Sequence, residues 1–126
     1  NNNVFSNFST NESDGYGIYA QDDSNNNTFE NFAIDSAGSN GMYIYDMYNN
    51  TFKNISIRNV TGTSDGIALY SGFNWFEDIT IDSVSKNGIY ISDSYDPYNI
   101  TFKNFIINNV SNEGDYAGIY MTDDGG

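Results

Sequence analysis

Apolar and polar side chains alternate over short stretches of this chain, and the alternation restarts at regular intervals. Between residues 52 and 60, polar residues separate Phe52, Ile55, Ile57 and Val60. A period of two in β-branched and aromatic residues predicts short strands. Asn, Asp, Ser and Gly stand between these stretches and predict turns. No window sustains the period of an α-helix, so we predict an all-β protein.

The strand pattern belongs to a repeat that fills the chain. A phenylalanine marks each copy, at spacings of 24, 23, 24 and 26 residues: Phe5, Phe29, Phe52, Phe76 and Phe102. A second marker follows each phenylalanine: Gly17-Ile18-Tyr19, Gly41-Met42-Tyr43, Gly66-Ile67-Ala68, Gly88-Ile89-Tyr90 and Gly118-Ile119-Tyr120. A unit of this length cannot bury its own apolar face, and stacked copies can. We predict one domain, residues 1–126, of about five rungs of 23–26 residues that begin near residues 1, 25, 48, 72 and 98.

Alignment of the copies places residues of one kind in shared columns. In a parallel solenoid, equivalent residues stack about 4.8 Å apart along the axis. Four columns are apolar and predicted to face inward: Phe8, Phe32, Ile55, Ile79 and Phe105; Ile34, Ile57, Ile81 and Ile107; Ala37, Val60, Val84 and Val110; and Ile18, Met42, Ile67, Ile89 and Ile119. Two others carry amides that can bond from rung to rung: Asn7, Asn31, Asn54, Asp78 and Asn104, and Asn3, Asn27, Asn50 and Asn74. Leu69 is the only leucine, which disfavours a leucine-rich repeat, and an antiparallel sandwich would not keep such columns.

The charge balance excludes several classes of partner. The chain has 17 acidic and 4 basic residues and a net charge of -13. Such a field repels nucleic acid and anionic lipid. No apolar run reaches the length of a membrane span, and the chain has no cysteine and no histidine. We therefore expect no nucleic-acid partner and no membrane insertion.

The repeated phrase N-x-x-F-x-N-I-x-I, followed by G-I-Y-x-x-x-S/D, resembles a known repeat. It is similar to the right-handed parallel β-helix repeats of the pectate-lyase-like superfamily, over all 126 residues. Within that superfamily it looks closest to Asn-rich, carbohydrate-associated modules of surface proteins. The resemblance implies a single-stranded right-handed parallel β-helix. Because about five whole rungs account for the 126 residues and no amphipathic helix or charged strand is left over, we expect no capping segments. It implies no single activity, because this fold hosts lyases, hydrolases, adhesins and inert shafts.

Five residues past the marker glycine, four of the five copies carry an aspartate and the third copy carries Ser71: the aspartates are Asp22, Asp46, Asp93 and Asp123. Lyases of the superfamily bind Ca²⁺ through carboxylates, and its hydrolases use clustered aspartates as acid and base. Carboxylates one rung apart repel unless their pKa values rise or a cation bridges them. We favour solvated turn aspartates, with a Ca²⁺ site as the alternative. No histidine is present and Lys86 reads as an ordinary surface residue, so we expect no enzyme activity and no required cofactor.

Tyrosines form an outward column, interrupted by Ala68: Tyr19, Tyr43, Tyr90 and Tyr120. An exposed aromatic stripe can bind sugar rings or a protein partner. The same rings can instead stabilise the sheet by stacking on one another. We favour the stacking interpretation and keep the stripe as a candidate binding site.

Three N-x-S/T sequons share the corner column three residues before the marker phenylalanine, at Asn26, Asn49 and Asn99. Exposed sequons in a secreted protein are acceptors for N-linked glycans. We expect an extracellular, structural or adhesive β-solenoid of a cell-surface sheath, filament or stalk. Its partners would be copies of itself, stacked head to tail, or a flanking β-helix of the same chain. The alternative is a carbohydrate-binding or carbohydrate-active fragment of a larger lyase- or hydrolase-like protein, with a polysaccharide as partner.

Overall fold

The computed structural model, which describes residues 2–92, 98–111 and 114–122, is a parallel β-solenoid. Each rung contributes one long and one short strand, and the described residues form ten strands. The long strands have ten residues each: β1 Val4–Ser13, β3 Thr28–Ala37, β5 Thr51–Val60, β7 Trp75–Val84 and β9 Thr101–Val110. The short strands have three or four: β2 Ile18–Gln21, β4 Met42–Tyr45, β6 Ile67–Tyr70, β8 Ile89–Ile91 and β10 Ile119–Met121.

The strands form two parallel sheets that wrap one core. The first sheet has the order β1-β3-β5-β7-β9, and the second has the order β10-β8-β6-β4-β2. The register pairs the marker phenylalanines with one another, as in Phe29 with Phe52 and Phe52 with Phe76. The all-β class and the predicted stacking of repeats are confirmed. The described residues contain no helix that is long and apolar enough to cross a membrane.

Each long strand bends twice, at residues whose φ is positive. In β5 these residues are Asn54, with φ 53°, and Asn59, with φ 57°. Asn tolerates the left-handed region better than most residues because its short side chain can bond locally. The bends turn one strand around the core, so the repeated phrase F-x-N-I-x-I encodes an inward phenylalanine, a bend and two further inward positions. The predicted column of Asn7, Asn31, Asn54, Asp78 and Asn104 therefore lies inside the long strands, at the first bend of each.

The predicted apolar columns fill the core of the inner rungs. Phe52 and Phe76 are fully buried, and their rings stack with 4.8 Å between centroids. Ile57 and Ile81 are buried in the same way, whereas Ile107 of the last rung is half-buried. Burial depends on a rung having neighbours on both sides, because each side chain is covered by its equivalents above and below.

One predicted amide column runs through the interior as a hydrogen-bonded ladder. The backbone N–H of Asn27 donates to Oδ1 of Asn50, and the N–H of Asn50 donates to Oδ1 of Asn74, both at 2.9 Å. Nδ2 of Asn74 donates to the carbonyl oxygen of Met47 at 2.8 Å. The asparagine side chains thus pair with buried backbone groups, just before each long strand, that would otherwise lack a hydrogen-bond partner.

The marker glycines lie where neighbouring rungs approach most closely. A Cβ atom on Gly41 would lie 2.6 Å from the carbonyl oxygen of Gly66 and would also collide with Ile57. A Cβ on Gly88 would meet Gly118 and Ile107 in the same way. The repeat requires glycine here because no side chain fits between the backbones.

Candidate functional site

The tyrosines of the predicted column lie together on the outer face of the second sheet. The rings of Tyr19 and Tyr43 stack with 5.1 Å between centroids and 6° between planes. Those of Tyr90 and Tyr120 stack at 6.0 Å and 14°. The structure thus brings all four candidate residues into one row, which we call the tyrosine ladder.

Tyr70 closes the gap that Ala68 leaves in the ladder. Ala68 pairs with Tyr43 and Tyr90 in the register, but its side chain is too short to bridge them. The ring of Tyr70, from the neighbouring column, lies 5.2 Å from Tyr43 and 5.7 Å from Tyr90. Burial, together with the neighbouring phenols, raises the pKa of Tyr70 to about 12. Ala68 itself is fully buried although it points outward.

The orientation of the rings limits what the ladder can bind. Sugars pack their C–H faces against the faces of aromatic rings, and Tyr19 and Tyr43 cover one face of each other. The hydroxyl of Tyr19 donates to Oε1 of Gln21 at 2.5 Å, which ties it to its own strand. Between Tyr19 and Tyr43 the ladder therefore presents edges and hydroxyls rather than open ring faces.

Lys86 has a structural role that the sequence did not reveal. Its Nζ lies 3.4 Å from Oδ2 of Asp65, a buried carboxylate, and 5.3 Å from the centroid of the Tyr90 ring. Oδ1 of Asp65 accepts hydrogen bonds from the backbone and side-chain nitrogens of Asn87. Lys86, Asp65, Asn87 and Tyr90 thus form a cluster. The only sign of it in the sequence was the polar residue that precedes the marker glycine in several copies. A cleft of about 180 Å³ lies beside it, between Lys86, Tyr90, Tyr116 and Tyr120.

The aspartate column is only partly within the described residues. Asp22 and Asp46 lie on neighbouring rungs, both with positive φ, and the backbone N–H of Asp23 donates to the carbonyl oxygen of Asp46. Asp93 and Asp123 lie outside the described residues. Within the described part of the chain, no three acidic residues come close enough to hold a metal ion. The Ca²⁺ site stays a prediction that depends on the two remaining aspartates.

Opposite charges alternate along the outer face of the first sheet. Glu77 accepts a hydrogen bond from Nζ of Lys103 at 2.8 Å, and Nζ of Lys53 lies 3.7 Å from its other oxygen. The hydrogen bond with Lys103 and the positive charges of both lysines outweigh desolvation and lower the pKa of Glu77. Arg58 pairs with Asp35 at 2.8 Å. These pairs hold neighbouring rungs in register on the surface.

The three predicted glycosylation asparagines lie at one exposed corner. Asn26, Asn49 and Asn99 have φ values of 59°, 56° and 55°, and all are exposed. The fourth rung carries Phe73 in this column, with the same left-handed backbone, φ 55°, and an exposed fraction of 44%. The backbone N–H of Asn49 donates to the carbonyl oxygen of Phe73 at 3.0 Å, so the two residues are adjacent.

Comparison with known proteins identifies the repeat. A family model described as a right handed beta helix region matches residues 1–126. No curated protein matches the chain. No solved structure matches it either. The match covers all five copies of the repeat.

Proposed function

The chain belongs to the right-handed β-helix family, and from this premise we propose that it is a non-catalytic structural module of the cell exterior, which stacks end to end on further rungs. The observation that carries the proposal is that both terminal rungs expose apolar side chains of the kind that inner rungs bury. Exposed apolar surface of this extent marks an interaction site.

The first rung leaves the interior of the solenoid open. Phe5 is 47% exposed and Phe8 is 56% exposed, whereas Phe52 in the column of Phe5 is fully buried. An open hollow of about 480 Å³ lies at this end, and its lining is mainly apolar: Val4, Phe5, Ser6, Phe8, Ile18, Phe29 and Phe32. A further rung placed on β1 and β2 would fill this hollow and pair their outer edges.

The last rung presents the matching surface. Phe105 and Ile119 are about two-fifths exposed, and Met121 is 64% exposed, although its partner in the register, Ile91, is buried. Strands β9 and β10 also offer unpaired edges, which template the addition of another strand. The two ends therefore need the same kind of neighbour on opposite sides.

The columns of the repeat fit a continuation from the last rung to a first rung. In such a stack Phe102 would meet Phe5, which extends the row of phenylalanine rings that runs from Phe5 to Phe102 with centroids 4.8–5.0 Å apart. Tyr120 would likewise meet Tyr19 and continue the tyrosine ladder. The neighbour can be a second copy, in a heterologous contact that does not close, or a flanking β-helix of the same chain.

The alternative, a carbohydrate-binding or carbohydrate-active module, receives less support from the geometry. The face-to-face contact of Tyr19 and Tyr43 withholds one face of each ring from stacking on a sugar. The basic side chains of Lys53, Arg58, Lys86 and Lys103 all pair with carboxylates, so each is engaged in a structural contact rather than poised as a base.

Sedimentation over a wide range of concentration tests the proposal. We expect a linear series of oligomers, and filaments whose fibre diffraction shows rungs about 4.8 Å apart across each junction. Met121→Lys places a charge at the open end of the last rung and should abolish the series. Ile106→Lys adds the same charge at an outward position that is 56% exposed and should leave stacking intact. A folded parent chain that stays monomeric at every concentration would overturn the proposal.

A further inference from the structure

An exposed aromatic patch lies at the corner where the sequons lie. Phe73, Trp75 and Tyr98 are 44%, 41% and 64% exposed. The backbone N–H of Phe73 donates to the carbonyl oxygen of Tyr98 at 2.7 Å, which places these two residues on adjacent rungs. In the register, Trp75 pairs with Thr51 on one side and Thr101 on the other. These threonines are the hydroxyl residues of the sequons at Asn49 and Asn99, so the patch lies between two sequons.

The asparagines beside the patch have unengaged side chains. Among the described residues, no hydrogen bond involves the side-chain amide of Asn49 or Asn99, and both residues are exposed. Other sequon asparagines are engaged: Nδ2 of Asn59 donates to Asp35 at 2.8 Å, and Nδ2 of Asn109 donates to Asp82 at 2.7 Å. A sugar on Asn59 or Asn109 would have to replace a hydrogen bond between rungs. A sugar on Asn49 or Asn99 would not.

Phe73 occupies a backbone conformation that suits asparagine better. Its φ of 55° is in the left-handed region, where a bulky side chain is an outlier. The equivalent positions of the neighbouring rungs hold Asn49 and Asn99, which adopt this conformation readily. A strained, exposed aromatic ring calls for a functional explanation, and a ring beside two acceptor asparagines can serve as a surface on which a sugar packs.

The spacing also leaves room for sugars on both sides of the patch. Adjacent rungs are about 4.8 Å apart, so Phe73 separates Asn49 from Asn99 by two such spacings. Asn26 and Asn49 are separated by only one, and sugars on both would crowd each other. The rung with the aromatic residues is thus the one that two flanking sugars can cover together.

We propose that Asn49 and Asn99 carry N-linked sugars whose first residues pack on Phe73 and Trp75. The inference rests on the proposed extracellular location, because N-glycosylation requires secretion. It assigns the exposed patch to the glycans of this chain and accounts for the phenylalanine in the asparagine column. The sugars would shield the corner from side-by-side contacts and leave the two ends of the solenoid free.

The test is secretion from a glycosylating host, with site occupancy measured by intact mass. The parent chain should lose one glycan in Asn49→Gln and one in Asn99→Gln. Trp75 is the only tryptophan, so its fluorescence reports on the patch directly. Enzymatic removal of the sugars should shift its emission to the red and increase its quenching by acrylamide.

Phe73→Asn provides the matched control, because asparagine suits the left-handed backbone and creates no sequon before Trp75. It should preserve site occupancy and reduce the loss of melting temperature that sugar removal causes in the parent chain. Unoccupied sites, or occupied sites whose removal leaves Trp75 fluorescence unchanged, would overturn the inference. Unchanged Trp75 fluorescence with capture of a secreted host protein on the patch would assign the patch to a protein partner instead. Use of the Met121→Lys variant throughout keeps these outcomes separate from those of the stacking experiment.

Discussion

The ring of Tyr70 packs against the ring of Tyr43 with 5.2 Å between centroids, although the two residues stand in different columns of the sheet. The contact carries the ladder past the rung that has alanine in the tyrosine column. It also moves Tyr70 into a partly buried position between neighbouring phenols, which raises its pKa to about 12. A side chain from one column thus repairs a break in another.

The raised pKa of Tyr70 predicts a distinct alkaline titration. Ultraviolet titration of the folded protein should show one phenol that ionises near pH 12 and is missing in Tyr70→Phe. Because the folded pKa lies above the unfolded value of about 10, this group stabilises the fold fully below pH 10 and loses the effect as pH rises towards 12. Tyr70→Phe should flatten the stability profile in that window. An unchanged titration curve in the variant would refute the assignment.

The stacked core predicts an asymmetry between inward and outward isoleucines. Ile57→Ala removes a fully buried side chain between two equivalents and should cost about 2–5 kcal/mol in the free energy of unfolding. Ile106→Ala changes an outward side chain that is 56% exposed and should cost about 0.5 kcal/mol or less. Urea denaturation of both variants makes the comparison, and equal costs would contradict the solenoid packing.

The interior amide ladder predicts a large cost for the loss of one rung. Asn50→Ala leaves the backbone N–H of Asn27 without its acceptor, and an unsatisfied buried group costs about 1–3 kcal/mol. Asn54→Gly is the control, because Asn54 belongs to an exposed ladder and glycine accepts its positive φ. Thermal and urea unfolding should rank Asn50→Ala as clearly the less stable variant. The reverse order would mean that the hydrogen bonds of the interior asparagine ladder do not stabilise the fold.

The lysines around Glu77 predict a pH effect at the acid end. Its folded pKa lies below the ordinary value of 4.5, so its stabilising contribution is present above pH 4.5 and lost as pH falls through the lower folded value. The stability difference between the parent and Glu77→Gln should therefore shrink as pH is lowered from 7 to 3. The parent and the variant must be compared at each pH, because the net charge of -13 also makes the stability of the whole protein depend on pH. Added salt should also reduce the stability difference between the parent and Glu77→Gln. A difference that does not change with pH would disprove the role of the contacts between Glu77 and the two lysines.

The aspartate column predicts a response to calcium if it binds the ion. Millimolar Ca²⁺ should then raise the melting temperature by mass action. The double variant Asp93→Asn and Asp123→Asn should abolish that rise. Mg²⁺ at the same concentration serves as the control for ionic strength. The absence of any shift in the parent chain would leave these residues as solvated turn aspartates.

Much of the fold could be predicted from the sequence because the five copies align. Most residues of one copy have an equivalent one rung away, so the inward positions of Phe52, Ile57 and Ile81 follow from a pattern that recurs at each rung. The hydrogen-bonded column of Asn27, Asn50 and Asn74 was predictable for the same reason. The two bends of each long strand were not predicted, because asparagine adopts a positive φ both in a bend within a strand and in a turn between strands.

The candidate site depended on contacts that cross columns, and only the tertiary structure decided those. Alignment predicts the neighbours of a residue along the axis, but the length and direction of a side chain determine what it touches sideways. Tyr70 reaches over Ala68, and Lys86 reaches the buried Asp65, because each is long enough to fill a space that a shorter neighbour leaves. The sequence alone determined which residues face inward and which stack, because a repeat imposes both. The contacts between residues of different columns were decided by how side chains of unequal length pack together. These contacts join different copies, so the pattern of one repeat does not predict them.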